Sequence, residues 1–359
     1  MTVVGAADER AAAVLPGARA HRRGLLWVGL LAVGTVASIV VSVGLGSASI
    51  SPDTTVRVIW HHLTGLGAVT WTTSEDNIVW LLRLPRVLLG VLVGATLSVA
   101  GVAIQALVRN ILADPYLLGI SSGASTGAAA SILFGFGSGL GVAALTGSAF
   151  LGALGAIILV FAMARVGGRM ISARLVFAGI AVGFALTAAT NFMVFVSDSQ
   201  NGARAVLFWM LGSLGQAQWS SLPVLAAITV PVTVILTAWS RRLDAISIGD
   251  DTARVLGTDP TRFRAIAVLV TALAVAAAVA VSGMIGFVGL VIPHLVRHLV
   301  GARHVAVIPC SALLGALLIV WADVLARAAF APRELPLGIL TALIGTPLLI
   351  MLVRRMMAR

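Results

Sequence analysis

The sequence predicts an all-α polytopic membrane protein with about ten transmembrane helices and an inverted repeat. Three observations predict it. Of 359 residues, 59% are hydrophobic and only 10% are charged, where a soluble domain carries roughly 25% charged residues. Apolar runs of about 20 residues recur along the chain, each able to cross a hydrocarbon core about 30 Å thick. Thirty-eight glycines, with many alanines, suit close approach of helices in lipid.

Residues 1–24 hold Asp8, Glu9, Arg10, Arg19, His21, Arg22 and Arg23 and read as a disordered cytoplasmic tail. The apolar run that follows lacks a clear cleavage site, and many more runs come after it. It therefore reads as a retained helix, not a removed signal peptide. The remainder, 25–359, reads as one membrane domain. Spans are expected at 25–46, 84–108, 116–135, 142–164, 174–197, 220–240, 263–283, 286–300, 305–329 and 335–354, the eighth too short to cross fully. The longest outer segment, 47–82, reads as loop with a short helix and holds Asp53, His61, His62, Glu75 and Asp76.

Residues 241–264 form a polar island between two apolar runs. Ser247 followed by Asp250 resembles a helix N-cap with an acidic partner three residues on. Gly257 stands where a glycine ends a helix, and Asp259-Pro260 opens the next one. The island reads either as an ordinary polar loop or as a short helix that docks a partner. The stretches 101–128 and 283–316 share spaced Gly, Pro, Arg and Ser-Ala positions on spans of opposite direction, as an inverted repeat requires.

The net charge is +11, and all 24 basic residues are arginine. With the N-terminus inside, 18 arginines fall in inner segments and six (57, 83, 86, 204, 327 and 333) in outer ones. That asymmetry sets the orientation, with both termini and the island in the cytoplasm. It also assigns the positive charge to membrane topology, not to nucleic-acid binding. The absence of lysine excludes a phosphate-binding P-loop, whose lysine reaches the terminal phosphates. Any ATP-driven transport through this chain needs a separate ATPase, and the island is the natural place for it to dock.

Other candidates carry bland readings beside sharp ones. Cys310 is alone and reads as a small apolar side chain in a span. His294 and His298 share a helix face at zinc-binding spacing. There is no third ligand, however, and Arg297 opposes a cation, so no metal site is expected. Asp323 and Arg327 read as a helical ion pair or as a functional intramembrane charge. Arg83-Leu-Pro-Arg86 reads as an interfacial anchor or as a basic docking point for an acidic partner.

Several segments together resemble the iron-siderophore and vitamin B12 permease family (FecCD-type, BtuC-like), the membrane subunits of type II bacterial ABC importers. The first runs from Arg83-Leu-Pro-Arg86 through Gly101, Gln105, Arg109-Asn110-Ile-Leu-Ala-Asp114-Pro115 and Gly119 to Gly123-Ala124. The others are Ile246-Ser-Ile-Gly-Asp-Asp-Thr-Ala-Arg-Val-Leu-Gly257, then Ser282-Gly-Met-Ile-Gly286-Phe-Val-Gly289-Leu-Val-Ile-Pro293-His294, Leu325-Ala-Arg327 and Glu334-Leu-Pro-Leu-Gly338. The match runs in register from about 80 to 354. Ile111 departs from it, standing where the family has proline.

The resemblance implies a ten-helix subunit, without cofactor, that pairs with a second permease subunit, identical or related. Two ATP-binding cassette subunits would bind inside and a substrate-binding protein outside. It implies binding-protein docking at Arg83, Arg86 and Arg327. ATPase coupling is implied through a helix over 248–256, with Ser247, Gly249, Asp250, Asp251, Ala253, Leu256 and Gly257. A cytoplasmic gate is implied at Ser172 and Ala173. Gln105, Arg109, Asn110, Asp114, Pro115, Gly119, Gly286, Gly289, Pro293 and His294 would be structural signature residues. The implied cargo is a ferric siderophore, with cobalamin or haem as alternatives. The competing readings are a stand-alone secondary transporter and, more weakly, an intramembrane metalloenzyme.

Overall fold

The computed structural model describes residues 16–46, 50–141, 143–165, 171–329 and 333–357, and the side chains of 22–354 within them. Most of the expected tail (1–15), Arg169 and Arg359 lie outside the described residues. The chain is helical throughout: α1 (Pro16–Gly44), α2 (Pro52–Thr64), α3 (Thr73–Val108), α4 (Ile120–Phe134), α5 (Ala143–Ala164), α6 (Ser172–Val196) and α7 (Gln200–Met210). Then follow α8 (Ser221–Ala238), α9 (Ser240–Ile248), α10 (Asp250–Val255), α11 (Pro260–Ser282), α12 (Val288–Val300), α13 (His304–Ala328) and α14 (Leu337–Met357). Among the described residues, eight helices are long and apolar enough to cross a membrane. α4 and α12 are apolar but shorter. The eighth expected span is short as predicted. The third is shorter than predicted, because Asp114 caps a separate turn of 3₁₀ helix over Pro115–Leu118 before α4 begins.

α3 is the axis of the fold. Most of its membrane window is buried by other helices, and no alternation of polar and apolar faces is needed in a helix surrounded on all sides. Its neighbours come in at van der Waals limits set by glycine. A Cβ on Gly101 would lie 1.9 Å from the Gly289 carbonyl oxygen of α12, and one on Gly94 would lie 2.2 Å from the Gly315 carbonyl oxygen of α13. Dispersion and close backbone approach, not a water-driven hydrophobic effect, hold such crossings in lipid. The two stretches read as a repeat therefore meet. In the first a long helix precedes a short one, in the second a short helix precedes a long one, and Gly101 packs on Gly289.

Besides α9 and α10, two amphipathic helices lie outside the ten spans. α2 starts at Ser51, whose side chain accepts from the Thr54 N–H, with Pro52 next, and ends at Gly65 in the left-handed region (φ 71°). α7 is likewise capped by Ser199. The sequence predicts a short helix at α2 but none at α7, whose eleven residues lie in the connection between two spans.

Candidate functional site

α3 joins two polar ends of the molecule. From Arg86 to Arg109 it rises about 35 Å at 1.5 Å per residue, and the charged side chains gather at each end.

At the Arg86 end, Arg83, Arg86 and Arg327 do come together. Arg83 donates to the carbonyls of Val43 and Gly44, both at 3.0 Å. Arg327 donates to those of Leu45 (2.8 Å) and Ser42 (3.3 Å). These carbonyls belong to the C-terminus of α1, where a helix leaves its last acceptors without main-chain partners. The two guanidiniums supply them and complement the helix dipole. Asp323, one turn before Arg327 on α13, accepts from Arg327 Nε at 3.0 Å and from Arg86 Nε at 2.9 Å. Arg86 also grips Glu334 in a two-pronged pair, at 3.0 and 2.9 Å. Three cations thus face two carboxylates, one buried and one half exposed (side-chain exposure 2% for Asp323, 48% for Glu334). None of the three arginines stands free: all are turned onto acceptors of this same chain. Sequence reasoning paired Asp323 with Arg327 but missed Glu334 and the α1 carbonyls, since no spacing rule links residues so far apart in the chain.

The Arg109 end is built from the island. The polar segment folds as two helices, α9 and α10, broken at Gly249, not as one helix over 248–256. Ser247 is not the N-cap: it lies inside α9, and its hydroxyl donates to the Asp244 carbonyl at 2.7 Å. Gly249 holds the cap position without a side-chain bond, and its extended backbone (φ 164°) is open to any residue. Gly257 has φ 79°, as its role at the helix end predicts. Asp259 caps α11 by accepting from Thr261 N and Arg262 N. Asp250, the first residue of α10, is gripped by Arg264 of α11 at 2.8 Å, with Arg109 at 3.8 Å. The Arg264 hydrogen bond, with its charge and that of Arg109, holds the Asp250 carboxyl below its ordinary range, against a smaller opposing effect of burial. Asp244 accepts from the His304 ring and main-chain N–H; burial pushes its pKa up, but these bonds outweigh that and hold it low.

The outward side of this turn is apolar. Ile248, Val255 and Leu256 are exposed, Val255 to 87%, beside the exposed Asp251–Arg254 pair. Ala253 is buried and carries the turn's inner contact. Apolar side chains grouped at a polar helix end mark an interaction surface. The sequence reading named Leu256 but missed Ile248 and Val255.

The signature residues surround the same end. Gln105 is buried, donates to the Gly289 and Leu290 carbonyls at 3.3 Å, and accepts from Arg297 at 2.6 Å. Arg297 is thereby turned to α3. His294 and His298 face each other at 3.0 Å, and no group of three or more metal-ligating side chains exists among the described residues. Arg109 caps α3 in the left-handed region (φ 53°). The Asn110 side chain closes the next turn by accepting from Leu112 N at 2.9 Å, so the turn forms with Ile111 in place of proline. Asp114 caps Pro115–Leu118, and burial pushes its carboxyl up to about 6. Gly119 (φ 70°) starts α4 against the Gly179 carbonyl. Pro293 sits inside α12, and a Cβ on Gly286 would meet open space. Ser172 opens α6, and its buried hydroxyl donates to the Leu107 carbonyl at 3.1 Å; Ala173 beside it is exposed.

A model of the FecCD transport family matches residues 34–355. The chain belongs to that family. It is 42% identical over 291 residues to the hemin transport system permease protein HmuU of Yersinia pestis, covering 79% of this chain and 86% of that one. It is 41% identical over 285 residues to the vitamin B12 import system permease protein BtuC of Vibrio cholerae, covering 79% and 85%. Among solved structures, an inward-facing ABC transporter assigned to the metal-chelate type superposes with a TM-score of 0.79 at 31% identity, over 91% of this chain and 98% of that one. The chain is a multi-pass permease subunit of a type II ABC importer. It is not an enzyme; ATP hydrolysis falls to a separate ATPase.

Proposed function

We propose that this permease imports a metal chelate, a ferric siderophore, by alternating access. In this reading two copies, or this chain and a related one, surround the path, and both termini lie in the cytoplasm. The observation that carries the transport reading is the division of charge along α3: an arginine-rich cluster at one end and an apolar-tipped, acid-anchored turn at the other, on a membrane-buried strut; the chelate cargo is supported by the likeness to the metal-chelate type transporter. The turn α9–α10 docks the ATPase through Ile248, Val255 and Leu256, and Asp250 ties it to the permease. At the opposite end a substrate-binding protein offers carboxylates to Arg86, Arg83 and Arg327. The half-exposed Glu334 is the group a partner carboxylate replaces on Arg86, since an exposed ion pair holds its partner weakly. The gate lies at Ser172 and Ala173.

Haem and cobalamin form the second reading of the cargo, favoured by the hemin and vitamin B12 relatives. Uptake of radiolabelled iron from single siderophores, in an iron-limited deletion strain, tests the choice. Loss for one siderophore, restored by the intact gene, supports the siderophore reading. Normal iron uptake, with growth lost on haemin or cobalamin alone, replaces it with the second.

A further inference from the structure

The last carbonyls of a helix have no main-chain partner within it. At the C-terminus of α3 the chain itself answers two of them: Asn110 N–H donates to Gln105 and Arg109 N–H to Ala106. The Leu107 carbonyl is answered from elsewhere. Arg264 Nε of α11 donates to it at 3.0 Å, and the Ser172 hydroxyl of α6 donates to it at 3.1 Å. Arg264 is 1% exposed, and its outer nitrogens hold both Asp250 oxygens, at 2.8 and 3.4 Å. One planar guanidinium therefore binds the first residue of the turn α10 on one side and the end of α3 on the other. The same α3 carbonyl holds the first residue of α6.

We propose that Arg264 is the positioning residue that carries motion of the ATPase-facing turn to the gate, through the Leu107 carbonyl it shares with Ser172. The inference rests on reading α9–α10 as the docking turn and 172–173 as the gate. The chemistry favours a rigid link over a loose contact. A guanidinium is planar, with its donors in a fixed fork, so a shift of Asp250 turns the whole group and moves its Nε–H donor. A lysine at this place has the charge but a single flexible head. Burial of the fork means that water does not offer a cheap alternative partner on either side. Ser172 is the first helical residue of α6, so displacement of its acceptor acts directly on the start of that helix.

The test uses the full permease co-purified with its ATPase in liposomes. Cysteine introduced at the exposed Ala173 reports the gate by its rate of maleimide labelling, with and without vanadate-trapped nucleotide; native Cys310 is buried. Site-to-site coupling typically amounts to about 5–150-fold. The parent is expected to show a change of about fivefold or more between the two states. Arg264→Gln is expected to co-purify with the ATPase and hydrolyse ATP, yet to bring the labelling ratio to about one. Arg264→Lys is expected to restore less than half of the change. Ser172→Ala, which cuts the other branch and removes one hydroxyl only, is expected to reduce the ratio as well, and decides alone should Arg264→Gln fail to fold. A full ratio in Ser172→Ala, or in Arg264→Gln, overturns the relay. A parent with no nucleotide-dependent labelling overturns it together with the gate reading. Failure of the docking reading shows separately, as normal ATPase co-purification by a Val255→Glu, Leu256→Glu double variant.

Discussion

Asp323 and Glu334 bind the same arginine but differ in burial, and the difference sets their separate effects on stability. Asp323 lies between Arg86 and Arg327 with 2% of its side chain exposed. Replacing it with alanine leaves Arg327 buried without its carboxylate, and the loss of one partner from a buried pair costs about 3–5 kcal/mol. Glu334 is 48% exposed, so Glu334→Gln gives up an interaction worth about 0–1 kcal/mol and keeps its shape. For a chain of 359 residues, each kcal/mol moves the unfolding midpoint by about 1.3 °C. Asp323→Ala is therefore expected to lower the midpoint in detergent by about 4–7 °C, and Glu334→Gln by about 1 °C at most. Thermal unfolding followed by size-exclusion of the soluble fraction reads both. The two variants part in function too. Glu334→Gln raises the local balance from three cations against two anions to three against one, and is expected to tighten docking of an acidic partner and to increase its association rate at low salt. Equal midpoint shifts for the two variants would refute the burial argument, and weaker docking by Glu334→Gln would refute the replacement of Glu334 by a partner carboxylate.

Other outcomes are open to simpler assays. Val255→Glu with Leu256→Glu places two anions on the exposed apolar tip and is expected to abolish co-purification of the ATPase while the permease still folds. Gly101→Leu puts a side chain where a Cβ alone meets the Gly289 carbonyl at 1.9 Å; yield of monodisperse protein is expected to collapse, because backbone has no slack to give. Gly257→Ala forces a side chain into φ 79° and is expected to lower stability by about 1 kcal/mol, seen as a midpoint loss of about 1 °C. Asp250 has its pKa held below the ordinary 3.8, so its ionised form contributes fully above that value and is lost as pH falls through the folded-state value. The stability gap between wild type and Asp250→Asn is expected to be constant from pH 5 to 8 and to close below about pH 4; a gap that widens on acidification would contradict the assignment.

The membrane fold was legible because its signal is local. A run of about twenty apolar residues declares a span without reference to the rest of the chain, and every expected span contains or overlaps a helix. Where the readings went astray, the deciding partner was distant. Ser247 has the spacing of an N-cap, but the packing of α9 against the membrane helices, with Leu243, Ala245 and Ile246 buried, extends that helix through it and moves the break to Gly249. The sequence reads Arg83 as an interfacial anchor or docking point and pairs Arg327 with Asp323, but it gives no sign of the α1 carbonyls that both arginines bind. In the structure Arg83 is turned onto the carbonyls of Val43 and Gly44, and Arg327 onto those of Ser42 and Leu45 and onto Asp323. Arg264 carried no signal at all: it looked like one more inner arginine, and only the unanswered Leu107 carbonyl and Asp250 distinguish it. Spacing rules reach one or two helical turns, and these partners lie tens to hundreds of residues apart.

The placement of charge also decides how such a protein is driven. A secondary transporter couples its cargo to an ion through a polar or ionisable group near the bilayer midplane. Among the described residues the arginines and carboxylates of the spans sit near their ends. Arg174, Arg262, Arg264, Arg297, His304 and Arg354 lie in end turns at the Arg109 end, and Arg83, Arg86, Asp323 and Arg327 lie at the other. Asp323, the one acid deep in a span, is in the last two turns of α13 and is already shared by two arginines. A proton or sodium ion arriving there would have to displace both. The described spans carry no free carboxylate along their middle, which fits an energy source that is a separate ATPase.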